Sequence, residues 1–195
     1  MPAKKQVTKE KIIEAAINII RDKGYGAVNA RNIAKELNCS TQPIYLSFSG
    51  MEELKTSIAQ EAFRIYQNFV SSDMKKGIYP PYKAYGMAYI HFAKEEKELF
   101  KFLFMCDRSN EKDRKFEEML HLLTDNNGLD YDTAYKIHME MWFFGHGIAT
   151  MLATSYIKLD EATISDYISD AYKGIRLCHG AINEAEQATT SGKSN

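Results

Sequence analysis

The chain has 195 residues, of which 45% are hydrophobic, 12% aromatic and 26% charged, and its 25 Lys or Arg and 26 Asp or Glu leave a formal net charge of -1. That length and aromatic content exclude a disordered polypeptide, and the near-neutral balance excludes a protein held to polyanions by bulk charge. The charge is unevenly placed: residues 1–56 carry nine Lys or Arg and six acids, the remainder 16 and 20, so a mildly basic head precedes an acidic body.

Prolines at 2, 43, 80 and 81 leave long unbroken stretches in which helical spacing recurs and period-2 alternation is absent, so the sequence predicts an all-α fold of about nine helices. Thr8 is placed to cap a first helix that stops at Lys23-Gly24, with Ile13, Ala16, Ile17 and Ile20 as its inner stripe. Gly24-Tyr25-Gly26 reads as a turn. Asn29 caps a short second helix whose apolar face is Ala30, Ile33, Ala34 and Leu37, and Asn38 ends it. Ser40 is expected to cap a third short helix, with Pro43 in its first turn. Ser49-Gly50-Met51-Glu52 reads as a capping box opening a longer helix with Met51, Leu54, Ile58, Ala62, Ile65 and Phe69 inward.

Gly77 to Pro81 is the clearest break. Beyond it the spacing predicts helices over Tyr82 to Lys94, on to near Cys106, over Glu111 to Thr124, Tyr131 to Ser155 and Glu161 to Ala181. Residues 1–50 are expected to form one domain and 51–183 a second, with a small, polar, disordered tail over 184–195.

Residues 29–48 thus hold two capped helices joined at Leu37-Asn38-Cys39-Ser40, the arrangement in which the second helix lies in the DNA major groove. Thr41 to Phe48 presents Thr41, Gln42, Tyr45 and Ser47, all able to bond phosphates or base edges. Gln42 can read adenine through two hydrogen bonds, and the Thr41 methyl can touch a thymine methyl. This helix holds no Lys or Arg, so phosphate charge falls to Lys4, Lys5, Arg31, Lys35 or Lys55.

Ala15-Ala16, Lys23-Gly24-Tyr25, Ile33-Ala34-Lys35-Glu36-Leu37, Ser40, Ile44-Tyr45-Leu46-Ser47-Phe48 and Glu52-Glu53-Leu54 resemble the TetR family of one-component transcriptional regulators, over about residues 8–56. The resemblance implies a three-helix DNA-binding head, a helical ligand-binding body, and a homodimer built through the last two helices. It implies a double-stranded operator, typically an inverted repeat, with Tyr45 on phosphate, Thr41, Gln42 and Ser47 facing DNA and Ala30 or Arg31 on the backbone; Ser40, Pro43 and Lys55 complete the set expected to bind DNA. Three positions depart from the family pattern: Asn38 stands at a usual glycine, Met51 at a usual lysine, and Leu46 where basic or aromatic residues are common.

In the body, Trp142-Phe143-Phe144-Gly145-His146-Gly147 is similar to a signature of one class of such proteins. Phe102, Met105, Met139, Trp142, Phe143 and His146 are the candidates for lining a ligand pocket, as adaptable methionines and aromatic rings do. Glu118 and His121 have the Glu-x-x-His spacing of di-iron bundles, but no other histidine has a glutamate three residues before it, so no metal is expected. No phosphate loop, nucleophile elbow or catalytic triad is visible, so neither an enzyme nor a cofactor is expected.

Cys39, Cys106 and Cys178 are odd in number and form no Cys-x-x-Cys pair, which fits a reducing cytoplasm. Met1 to Lys5 lacks the apolar core of a signal peptide, and Met139 to Ala153 is too polar to span a bilayer, so no membrane partner is expected. The reading is a cytoplasmic, dimeric repressor released from its operator by a small apolar or amphipathic effector; the alternative is a helical protein-interaction module without specific DNA binding.

Overall fold

The computed structural model describes residues 7–106 and 117–180. Its helices are α1 (Lys9–Lys23), α2 (Ala30–Glu36), α3 (Gln42–Ser47), α4 (Met51–Met74), α5 (Pro81–Glu95), α6 (Lys97–Phe104), α7 (Glu117–Asn127), α8 (Tyr131–Ala153) and α9 (Glu161–Cys178), with a 3-10 turn at Tyr25–Ala27 and no strand among the described residues. The expected polar tail and Lys4 and Lys5 lie outside these residues, as does the expected start of α7.

Side-chain caps set four of the helix starts. Thr8 accepts the Lys11 amide at 3.4 Å, Asn29 that of Asn32 at 2.9 Å, Asp130 that of Thr133 at 3.0 Å and Asp160 that of Thr163 at 2.8 Å. Each bond satisfies an amide that has no partner inside its helix.

Two starts differ from expectation. The cap of α3 is Thr41 rather than Ser40, and no side chain bonds there; the Ile44 and Tyr45 amides bond the Thr41 carbonyl at 3.1 and 3.3 Å. Were Ser40 the cap, the third helical position would be Pro43, which has no amide to offer it. At α4 the cap is Gly50, so the third helical position is Glu53 rather than Glu52. Glu53 reaches back to accept from the Ser49 amide at 2.7 Å and hydroxyl at 2.8 Å. Those bonds, with Lys9, hold its carboxyl down to about 2.

Helix α4 also turns differently from expectation. Its buried residues are Leu54, Ile58, Ala62, Tyr66 and Val70, while Ile65 and Phe69 are half-buried and Met51 is exposed. Steps of four overshoot the 3.6-residue turn, so the buried stripe winds around the helix. The reason is a change of neighbour. Lys9 of α1 pairs with Glu53 at one end, and Tyr66 and Phe69 meet Phe92 of α5 further along.

Helix α1 is buried on more than one side through Ile12, Ala15, Ala16, Ile17, Ile19 and Ile20, and packs against α2, α3, α4 and α6. Helix α5 is the equivalent strut of the body, touching α4, α6, α7, α8 and α9. One apolar core therefore runs from Ile12 and Ile44 through Phe92 and Phe100 to Ile168. Polar ties cross it at the far end. His91 of α5 holds Asp73 of α4 through Nδ1 at 2.7 Å and Glu161 of α9 through Nε2 at 2.8 Å, and Lys83 donates to Ser165 and Ser169 of α9.

Deeper in the body, His138 is buried with Nδ1 3.1 Å from the Tyr82 hydroxyl, and burial pushes its imidazolium down to about 4. As pH falls below the ordinary value of 6.5, the unfolded chain takes up a proton that the folded chain refuses until about 4. Stability contributed by neutral His138 is therefore complete above 6.5 and lost towards 4. His138→Gln should flatten that part of the pH profile by on the order of 1–3 kcal/mol, read by urea unfolding at fixed protein concentration. An unchanged profile would remove His138 as the titrating group.

Candidate nucleic-acid interface

The turn between α2 and α3 is closed by backbone bonds. The Cys39 amide bonds the Ala34 carbonyl at 2.9 Å and the Asn38 amide that of Lys35 at 3.1 Å, with Asn38 at φ 51° between them. This is the Schellman closure, whose left-handed residue is most often glycine; asparagine is among the few side chains that enter that region readily. Half-buried Cys39 then packs against the core.

Helix α3 is anchored from one side and open on the other. Ile44 and Phe48, four residues apart, are 2% and 3% exposed and pin the helix into the core. The Lys9 ammonium lies 4.9 Å from the centre of the Phe48 ring. Outward stand Gln42, Tyr45 at 61% exposure and Leu46 at 79%, while Thr41, Pro43 and Ser47 are half-buried and Ser40 is exposed. Arg31 and Lys35 on α2 and Lys55 on α4 are also exposed, so three cations stand on the elements flanking a helix that carries none. Ala30 differs from the rest of the expected set: its side chain is 6% exposed and belongs to the core, which leaves only its main chain to face a ligand.

A junction that sequence reasoning missed joins this head to the body. Arg21 at the end of α1 donates to both carboxylate oxygens of Glu96, at 2.9 and 2.6 Å. Tyr25 stacks on Phe102 of α6 with centroids 4.7 Å apart, and the Lys55 ammonium stands 5.9 Å from the Tyr25 ring. Gly24, at φ 75°, permits the close approach, because a Cβ there would lie 3.0 Å from Glu98 Oε2. Lys23-Gly24-Tyr25 signals a turn in the sequence, but nothing local names partners some 75 residues away.

The six expected pocket residues divide. Trp142, Phe143 and His146 sit together on α8, with the Trp142 and His146 rings stacked at 5.4 Å, and Met139 is half-buried on the same helix. Phe102 instead faces the head through Tyr25, and Met105 is exposed just beyond the end of α6. The residues that converge on His146 are Tyr89, whose hydroxyl is 2.8 Å from its Nδ1, and Phe100. Tyr66 and Phe104 pack on Tyr89 in turn, and the Tyr66 and Tyr85 hydroxyls are 3.3 Å apart. Among the described residues no group of three His, Cys, Asp or Glu side chains is placed to hold a metal ion, and no helix is long and apolar enough to cross a membrane.

The geometry defines a helix-turn-helix head on an all-helical body. Residues 12–57 match the family model of bacterial regulatory proteins, tetR family. Among solved structures, a TetR-like transcriptional regulator from Rhodococcus sp. RHA1 superposes with a TM-score of 0.63 at 17% identity, covering 91% of this chain and 98% of that one. A TetR-family protein from Vibrio parahaemolyticus gives 0.60 at 14% identity over 84% and 96% of the two chains. A TetR-family transcriptional regulator from Haemophilus influenzae gives 0.59 at 16% over 85% and 94%. No curated protein matches the sequence. The head therefore matches the tetR-family model, and the chain as a whole shares the fold of the TetR-family regulators on which it superposes.

The two sides of α3 predict opposite responses to truncation. Phe48→Ala should destabilise the protein by about 3–5 kcal/mol through the cavity it leaves. Leu46→Ala, two residues away, should shift stability by less than about 0.5 kcal/mol. Urea unfolding of the two variants separates them, and similar losses would contradict the placement of α3.

Proposed function

We propose that the protein is a dimeric, ligand-responsive DNA-binding transcriptional regulator of the bacterial cytoplasm, acting as a repressor that a small apolar or amphipathic effector releases from an inverted-repeat operator. The observation that carries this reading is the outward face of α3. A short helix pinned by Ile44 and Phe48 presents Gln42, Tyr45 and Leu46 to solvent, and Arg31 and Lys35 on α2 and Lys55 on α4 are exposed as well. In this reading Thr41, Gln42 and Ser47 face base edges and Tyr45 a phosphate. Ser40, Pro43, the Ala30 main chain, Arg31 and Lys55 border the same groove.

Residues 1–50 are then the DNA-binding domain, and 51–183 the ligand-binding and dimerisation domain. The last two helices leave Phe143, Phe144, Met151, Tyr167 and Leu177 exposed, which supports a homodimer formed through α8 and α9. The effector site we place at Tyr66, Tyr89, Phe100, Trp142 and His146, where aromatic rings meet hydroxyl and imidazole groups. Successive major grooves on one face of B-DNA lie about 34–36 Å apart, so the two heads bind together only at that separation. An effector seated against α4 and α6 shifts the population towards another spacing through α1 and its junction with Glu96 and Phe102, and does so by its differential affinity for the two states.

The test is selection of genomic fragments by the full-length protein, with washes at about 50 and 200 mM salt. An inverted repeat should be enriched, and its recovery should fall markedly at the higher salt. Tyr45→Phe should weaken all sequences by a similar factor, whereas Gln42→Ala should relax preference at one position per half-site, by about 1–3 kcal/mol. A flat salt response with no preferred duplex would overturn the reading in favour of a protein-interaction module.

A further inference from the structure

We propose that Leu46 is a base-reading residue, which takes the 5-methyl group of a thymine in the major groove and gives each operator half-site a methyl-dependent A·T contact beside the one read by Gln42. The inference rests on the regulator reading and adds to it a residue and a base chemistry. Its first support is exposure. Leu46 is 79% exposed while Ile44 and Phe48 carry the anchoring of α3, so the fold itself makes little use of this leucine.

The second support is position. Gln42 and Leu46 are four residues apart, hence one above the other on the same side of the helix. Four residues advance about 6 Å along the axis, less than two base-pair steps at about 3.4 Å each. A base read by Gln42 and one met by Leu46 therefore lie within about two steps of each other.

The third support is chemical. The major-groove edges of the bases carry hydrogen-bonding groups and one methyl group, that of thymine. Against a G·C edge the leucine would strip water from donors and acceptors and return no bond, so it penalises the wrong pair as well as favouring the right one. Residues 40–50 hold no Lys or Arg, so the two-bond contact to guanine that Arg or Lys provides is absent from this helix.

The test uses the full-length protein and randomised duplexes. After selection, each thymine of the recovered duplex is replaced in turn by deoxyuridine, which removes the methyl and keeps the base pairing. Library DNA amplified in vitro holds no methylated cytosine, so any methyl signal comes from thymine. At least one thymine per half-site, the one met by Leu46, should lose about fourfold in affinity when its methyl is removed, the change expected for one buried methyl group. Leu46→Ala should bind more weakly and be indifferent to that replacement, while Gln42→Ala should keep the methyl dependence. A preferred duplex whose deoxyuridine scan is flat, or in which every methyl-dependent thymine stays so in Leu46→Ala, overturns the Leu46 assignment and leaves the regulator reading standing. No preferred duplex at all overturns both.

Discussion

Helix α1 is held from two directions, because the head leans on one part of it and the body on another. Its Ile12, Ile17, Ile19 and Ile20 fill space, while Ala15 and Ala16 let neighbouring helices come close. Since α1 packs on α2 and α3 as well as on α4 and α6, the orientation of α3 is set by the same contacts that stabilise the body. Tyr25 on Phe102 and Arg21 on Glu96 extend that arrangement past the end of α1. The ion pair is partly exposed and adds about 0–1 kcal/mol, and the ring stack about 0.5–1.5 kcal/mol. Their main effect is on register. A head that changes position must carry α1 across α6 or take α6 with it.

The body sets rings with polar ends among purely apolar ones. Tyr66, Tyr85, Tyr89 and His146 place hydroxyl and imidazole groups among Phe92, Phe100 and Phe104, so the rings interlock edge to face while their polar ends find one another. At the far end of α4, His91 bridges Asp73 and Glu161, and Lys76 also holds Asp73. Burial acts to raise the Asp73 carboxyl, yet Lys76 and His91 outweigh it and keep it below its usual value. Helix α4 is thus tied at its start to α1 and at its end to α5 and α9, which makes it a lever between the head and the helices we propose for dimerisation.

How much of this was legible depended on range. Thr8 and Asn29 act within three residues, and the sequence marks them correctly as caps. Ser40 and Glu52 missed by one position each, because a proline without an amide and a glycine without a side chain shifted the capping pattern. The α4 stripe was read on one straight face and winds instead, since a periodicity argument assumes one neighbour and α4 has several. Partners across the chain left no local trace: Glu96 is an ordinary surface acid until Arg21 meets it. Phe102 showed an apolar ring without showing whether a ligand or Tyr25 would cover it. Of the four residues expected to face outward on α3, Gln42 and Tyr45 are exposed while Thr41 and Ser47 are half-buried, and Leu46, outside that set, is exposed, because Ile44 and Phe48 turn the opposite side inward.

The central claim is that head and body share one core through α1. Native-state amide hydrogen exchange at low denaturant tests it most directly, since it resolves which segments open together. The account predicts that the amides of Ile12 to Ile20 exchange through the same opening, at the same free energy, as the buried amides of α5 and α8. Opening of α1, α2 and α3 as a separate unit at distinctly lower free energy, with α5 and α8 still protected, would contradict it.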